Sequence, residues 1–168
     1  ALQYLLSQNG LTLEDVDLQY KSEAAEVILA LSETPDALGL LPQPAATTAC
    51  IQNENLRIAL DLTEEWDKTS AGGSLVTGVT VVRRAFLEQQ EEAVQSFVTE
   101  HAASAAFANE HVEEASELVA ELEIVPKAPI AAKAIPYCNI TCITGEDMKT
   151  ALSGYLEVLA GQNPEAVG

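Results

Sequence analysis

Residues 20–66 read YKSEAAEVILALSETPDALGLLPQPAATTACIQNENLRIALDLTEEW, and the expected fold depends on this stretch. Apolar residues recur at helical spacing from 24 to 31, which predicts an amphipathic helix. Residues 37–41 form a short, continuous apolar run, as is typical of a strand that is buried on both faces. Pro44 is well placed as the first residue of a further helix, and residues 56–62 then alternate like a second strand. This succession of helices and strands predicts a parallel or mixed α/β sheet.

The flanking sequence extends this pattern in both directions. A first helix ends near Gly10, a residue that favours a left-handed stop, and residues 16–20 alternate like a strand. Residues 75–82 supply one more β-branched strand, after a turn rich in Ser, Ala and Gly. We therefore expect a nearly complete α/β lobe over residues 1–75. Residues 76–168 are expected to form a crossing strand and a mainly helical return to an incomplete second lobe.

The helices expected after residue 82 have few strands to cover. Thr144 opens one of them with the pattern of a capping box. Because only one convincing strand lies in this half, much of the apolar surface of its helices lacks a partner. We expect exposed apolar side chains there unless another chain covers them, at Val94, Phe97, Leu118 and Leu152.

Composition excludes several classes of protein. The chain has 168 residues, 48% of them hydrophobic, so it can bury a core. Its 26 acidic and 8 basic residues give a net charge of -18, which repels phosphate backbones and makes nucleic acid an improbable partner. No apolar run is long enough to span a bilayer. The helix at the first residues has no cap ahead of it, which suggests a processed, cloned or proteolysed fragment.

Residues that could carry metal or enzyme chemistry are few. Cys50, Cys138 and Cys142 do not have zinc-site spacing, and only His101 and His111 could join them. A Cys138–Cys142 disulfide is conceivable, but buried or inert thiols are the simpler interpretation. The sequence contains no phosphate-binding loop and no nucleophile elbow. We therefore expect no metal, no cofactor and no catalytic residue.

Three segments carry a resemblance to a known family. They are residues 20–66, residues 76–122 (VTGVTVVRRAFLEQQEEAVQSFVTEHAASAAFANEHVEEASELVAEL) and residues 135–159 (IPYCNITCITGEDMKTALSGYLEVL). Together they resemble the C-terminal half of nitrate/sulfonate/taurine-type solute-binding proteins of ABC importers. Gln43 departs from the family pattern, in which an acid is common at this position.

The resemblance implies a periplasmic-binding-protein type II-like fold, in which two α/β lobes close on a small molecule. It implies an extracytoplasmic protein, in the periplasm or as a cell-surface lipoprotein, and not an enzyme. The expected partners are a small-molecule ligand, an ABC permease and a missing N-terminal half of the same protein. Contact with the membrane is expected only through a lost lipid anchor or the permease.

Ligands of open α/β sheets bind beyond the carboxyl ends of the strands, near helix N-termini. The residues that this rule and the crossing strand place near a ligand are Ser22, Gln43, Pro44, Trp66, Thr77 and Asn139. Each has a structural alternative: Ser22 could simply cap a helix, Trp66 could pack in a core, and Asn139 could lie in a structural loop. Thr77 is adjacent to Gly78 on the crossing strand, where a hinge is a further hypothesis.

Two other functions fit the same scaffold, because a fold does not determine a function. One is a biosynthetic enzyme of the menaquinone or thiamine-pyrimidine pathway. The other is a sensory ligand-binding module. The solute-binding receptor is the expected function, and these two remain alternatives.

Overall fold

The structure is a computed structural model that describes residues 1–69 and 73–167. Its α-helices are α1 (Leu2–Gln8), α2 (Ala24–Glu33), α3 (Ala45–Gln52), α4 (Leu62–Asp67), α5 (Arg84–Gln89), α6 (Glu91–Glu110), α7 (Val112–Glu121), α8 (Ala128–Ala134) and α9 (Gly145–Gln162). Short 3-10 helices occur at Leu13–Asp15, Ile135–Tyr137 and Pro164–Ala166. Most of the turn expected at residues 69–73 lies outside the described residues.

The α/β prediction is wrong. In the described part of the chain, the regular secondary structure consists of helices and contains no strand. Segments 16–20, 37–41, 56–62 and 75–82 were expected to be strands and instead have no regular hydrogen-bonding pattern, apart from Leu62, which begins α4. Apolar side chains in them are exposed, for example Leu38 at 92%. The periplasmic-binding-protein type II-like fold, with one α/β lobe and an incomplete second lobe, is corrected accordingly.

The physical reason for this error is that a strand needs a partner and a helix does not. Alternating or continuous apolar residues indicate which side chains prefer burial, but they do not specify the strand that completes the hydrogen bonds. A helix satisfies its backbone within its own segment, so local spacing alone predicts it well. The helix expected at 24–31 is indeed present as α2.

Local stop and start signals act only partly as predicted. α1 ends before Gly10, which adopts the left-handed conformation with φ of 72°. α9 begins after Thr144, although the Thr144 side chain makes no capping hydrogen bond. Pro44 precedes the first residue of α3 and is its N-cap rather than its first helical residue.

The chain divides into two compact units. Unit 1 comprises Ala1–Tyr20, Ala59–Val81 and Ile143–Gly168, and unit 2 comprises Lys21–Ile58 and Val82–Cys142. The expected division near residue 75 concerned the lobes of a larger receptor, and it remains a prediction.

The core of unit 2 lies between α7, α8 and the 3-10 helix that follows. Ala115, Val125, Ala131 and Ile135 are buried there, with Phe107 and other partly buried apolar residues packed around them. Between α7 and α8, the N–H groups of Ile124 and Val125 both donate to the Val119 carbonyl, which closes the turn. The two helices can therefore fold back on each other through small side chains.

The core of unit 1 is built around Trp66, the only tryptophan, which is 1% exposed. Its ring lies between Tyr4 and Tyr155, with ring centroids 4.9 and 5.4 Å away. The indole N–H donates to the Gly73 carbonyl over 2.8 Å. Residues from three distant parts of the sequence thus meet at one side chain.

Exposure of the second-half helices is only partly as expected. Phe97 and Leu118 are exposed, whereas Val94 and Leu152 are partly buried.

Replacing Trp66 should destabilise unit 1. Trp66→Ala removes a fully buried ring, and we expect a loss of about 3–5 kcal/mol in the free energy of unfolding. Trp66→Phe keeps a ring but leaves the Gly73 carbonyl without its donor, for a smaller loss of about 1–3 kcal/mol. Urea unfolding followed by circular dichroism measures both. Tyr20→Ala, at an aromatic residue that is 84% exposed in the same unit, is the matched control and should change stability little.

Gly73 should be intolerant of any side chain. A Cβ at Gly73 would lie 2.7 Å from the Ala151 carbonyl oxygen and 2.9 Å from Gly154 Cα, both backbone atoms of α9. Because backbone cannot move aside as a side chain can, we expect Gly73→Ala to cost about 1–3 kcal/mol. Gly78→Ala is the control, since a Cβ at Gly78 would have nothing within 4 Å. Equal thermal stability of the two variants would contradict this account.

Candidate functional site

The best organised polar group among the six predicted ligand contacts is the Gln43 side chain at the start of α3. Its Oε1 accepts hydrogen bonds from the Thr47 hydroxyl over 2.8 Å and from the Thr47 N–H over 3.3 Å. These two bonds fix the orientation of the amide plane. In the described residues no acceptor is found for the Gln43 Nε2 donors. A donor held in this way suits a carbonyl or carboxylate oxygen.

The N–H groups at the start of α3 are largely used within the chain. Ala46 donates to the Pro42 carbonyl, Thr48 donates to the Pro44 carbonyl, and the Thr47 N–H donates to Gln43. Pro44 is partly buried and forms the N-cap. The Gln43 amide, rather than the helix backbone, is therefore what this position offers to a ligand.

Ser22 lies just before α2, whose N-cap is Glu23. The Glu26 carboxylate accepts the Ser22 N–H over 2.9 Å and the Glu23 N–H over 3.0 Å. A carboxylate already occupies this helix N-terminus, which disfavours an anionic ligand there. The Ser22 side chain is exposed and is not the cap that the sequence suggested.

Asn139 is exposed and has a left-handed backbone with φ of 50°. Its neighbour Ile140 is held by Asn109, whose Nδ2 donates to the Ile140 carbonyl and to the Ala105 carbonyl, each over 2.8 Å. Sequence analysis missed Asn109, and no local signal could have found it, because its partner lies 31 residues away.

Trp66 and Thr77 belong to unit 1, whereas Ser22, Gln43, Pro44 and Asn139 belong to unit 2. Trp66 is enclosed by Tyr4 and Tyr155, so its ring is not open to solvent. Thr77 lies exposed on a segment without regular structure. The structure thus places four of the six predicted contacts in one unit, and ligand contact stays a prediction for all six.

Titratable side chains offer little organised chemistry. The His101 ring stacks on Phe97, and the His111 ring stacks on Phe107 with Nδ1 3.8 Å from a Glu114 carboxylate oxygen. Cys138 donates its Sγ–H to the Ala134 carbonyl over 3.2 Å. Burial raises the pKa of the Cys138 thiol. The thiol therefore stays protonated at pH values at which an exposed thiol ionises. No group of three potential metal ligands occurs in the residues that the structure covers.

A hollow of unit 2 lies between α7 and α8, with a volume of about 410 Å³. Glu113, Glu114 and Glu117 line it. Ser116 is buried there, but its hydroxyl donates to the Glu113 carbonyl and is not available to a ligand. Three carboxylates around this hollow repel anions.

Comparisons with known proteins identify a family but no individual relative. A family model described as menaquinone biosynthesis matches residues 14–160. No curated protein and no solved structure matches this chain significantly.

The family match corrects the interpretation as a nitrate/sulfonate/taurine-type solute-binding protein of an ABC importer. It favours the biosynthetic alternative over transport, and it overturns the expectation that the protein is not an enzyme. It also gives no support to an ABC permease or a missing N-terminal half as partners. The resemblance rested on the order and spacing of elements, and these do not determine a function.

None of the helices in residues 1–69 and 73–167 is long and apolar enough to cross a membrane. The extracytoplasmic location stays a prediction.

The Cys138 thiol should react slowly with alkylating reagents. Its raised pKa lowers the fraction of thiolate, which is the reactive form, at neutral pH. We expect iodoacetamide to modify Cys138 more slowly than free cysteine at about pH 7.5, with a rate that increases as the pH approaches the raised pKa. Mass spectrometry of peptides from the folded protein measures this rate. Modification faster than that of free cysteine would rule out a buried, protonated thiol.

Proposed function

Because the chain belongs to the menaquinone biosynthesis family, we propose that it is an enzyme of menaquinone biosynthesis. The match over residues 14–160 is the observation that carries this proposal. It includes every residue of unit 2 and therefore the organised amide of Gln43.

The chemistry of the product indicates what such a site must recognise. Menaquinone is a naphthoquinone, and its ring carries two carbonyl oxygen atoms. A side-chain amide that donates to such an oxygen provides orientation without introducing charge. Gln43 fits this role because its Oε1 is held by Thr47 and no acceptor for its Nε2 is found in the part of the chain that the structure describes.

The local charge also supports a site at Gln43. No charged residue occurs from 37 to 53, although the whole chain carries a net charge of -18. An oxygenated ring that carries a carboxylate would be repelled by the acidic surface elsewhere and least repelled here. We therefore place the substrate contact of the proposed enzyme at Gln43.

Deletion of the gene that encodes this chain tests the proposed function directly. We expect menaquinone to fall to undetectable levels in lipid extracts analysed by liquid chromatography, and the wild-type gene on a plasmid to restore it. An unchanged menaquinone content in the deletion strain would overturn the proposal.

Gln43→Glu tests the proposed contact in the same strain. The substituted carboxylate can still accept from Thr47, so the start of α3 should keep its structure, but the two amide donors are lost. We expect menaquinone production about tenfold below wild type, because one hydrogen bond to an oxygen of the substrate is replaced by repulsion.

Gln52→Glu is the matched control, since it makes the same chemical change at an exposed residue of the same helix. It should complement as well as wild type does. If Gln43→Glu also complements fully while its circular dichroism is unchanged, Gln43 does not contact the substrate. That result would leave the biosynthetic function itself intact.

A further inference from the structure

The pair Asn9–Gly10 carries a chemistry of its own, the loss of the asparagine side-chain amide. Glycine has no side chain to shield its backbone nitrogen, so this nitrogen can attack the side-chain carbonyl carbon of the preceding asparagine. The chain has six asparagines, and Asn9 is the one that a glycine follows. Both residues are exposed at the end of α1, so water can reach them.

The end of α1 holds the nitrogen that would attack. The Gly10 N–H donates to the Ser7 carbonyl over 3.1 Å. The Leu11 N–H donates to the Leu6 carbonyl over 2.9 Å. These are the two bonds of a Schellman motif, in which the residue after the cap is left-handed, and Gly10 accordingly has φ of 72°. The nitrogen must give up its proton before it attacks, and in the folded chain that proton lies in a hydrogen bond.

The Asn9 side chain is held in a second way. Its Nδ2 donates to the Leu5 carbonyl over 2.9 Å, one turn back along α1. The ψ of Asn9 is 14°. A five-membered ring can close only when Asn9 Cβ and the Gly10 nitrogen lie on the same side of the Cα–C bond, which requires a strongly negative ψ in an L residue. Both the side chain and the backbone of Asn9 therefore have to move before the reaction can begin.

This movement is opposed by the packing of α1 in unit 1. Leu5 is 6% exposed, and the Tyr4 ring centroid lies 4.9 Å from that of Trp66. Opening of the last turn breaks the hydrogen bonds at Asn9 and Gly10, and a wider opening of unit 1 also loses these apolar contacts. The reactive arrangement is thus reached only from a partly unfolded state.

We propose that Asn9 is a deamidation site that the folded end of α1 protects and that opening of α1 exposes. The Gly10 nitrogen bonds to Asn9 Cγ, the Cγ–Nδ2 bond breaks, and the amide leaves as ammonia with the proton that Gly10 gave up. Water then hydrolyses the resulting succinimide at either carbonyl, which gives aspartate or isoaspartate. Water is the only co-reactant.

The product does not end α1 as asparagine does. A carboxylate has no donor for the Leu5 carbonyl, and its charge lies at the helix C-terminus, where the partial charge is also negative. Isoaspartate in addition lengthens the backbone between residues 9 and 10, which disrupts the Schellman motif. Deamidation therefore makes an opening of α1 difficult to reverse.

Peptide mass spectrometry of aged samples tests this proposal. The full chain is incubated at slightly alkaline pH, once folded and once unfolded in guanidinium chloride. We expect Asn9 to deamidate at least about tenfold more slowly in the folded chain, because α1 has to open first. The other asparagines, which larger residues follow, are internal controls and should stay intact while Asn9 reacts in the unfolded sample. Equal rates would overturn the protection, and an intact Asn9 in the unfolded chain would overturn the site.

Leu5→Ala tests whether α1 controls the reaction. The change removes a buried side chain of α1 and leaves Asn9 and Gly10 in place. We expect deamidation of Asn9 without denaturant to be at least about tenfold faster than in wild type, because the loss of a buried leucine makes opening easier. Gln3→Ala, at an exposed residue of the same helix, is the matched control and should leave the rate unchanged. A wild-type rate in Leu5→Ala would contradict control by α1.

Asn9→Asp tests the consequence of the modification. We expect its thermal midpoint, followed by circular dichroism, to be lower than that of wild type by about 2–4 °C. Asn9→Ala removes the hydrogen bond to Leu5 without adding charge, so its decrease should be smaller. If Asn9→Asp is as stable as wild type, aspartate ends α1 as well as asparagine does, and the proposed consequence is wrong.

Discussion

Close approach of helices through small side chains is the constraint on which unit 2 depends. Five of the nine buried apolar side chains among the described residues are alanines, and Ala115 and Ala131 lie together in the α7–α8 core. An alanine lets two helix backbones come near each other at little cost in side-chain entropy, but each one buries little apolar area. The large apolar residues are thus mostly excluded from the core. This accounts for the many exposed leucines, isoleucines and valines of the chain.

How well the sequence predicts a feature depends on how far apart the interacting residues lie in the chain. The helix after residue 23 and the stop at Gly10 follow from signals within a few residues, and the structure has both. The apolar runs at 37–41 and 75–82 carry equally strong local signals for strands. Those signals failed because pairing is decided between distant segments, and the described residues offer these runs no partner.

In the candidate site, too, local features could be predicted from the sequence and contacts between distant residues could not. Gln43 could be singled out from its position before a helix, but its anchoring by Thr47 was visible only in the structure. Trp66 was recognised as exceptional, yet the Tyr4 and Tyr155 rings that enclose it come from opposite ends of the sequence. Asn109 and Ile140 likewise meet across a separation that no spacing rule encodes. Function was missed for a related reason, since similar scaffolds can host transport or biosynthesis.

Charge then sets where an acidic ligand can approach this chain. The ion pairs Lys68–Glu65 and Lys149–Glu146 each join residues three apart and do little to offset the excess of acid. Repulsion of an anionic, oxygenated substrate is therefore weakest along the uncharged stretch from 37 to 53. The Gln43 amide lies within this stretch and is held there by Thr47, so the proposed substrate contact combines the least repulsion with an oriented donor.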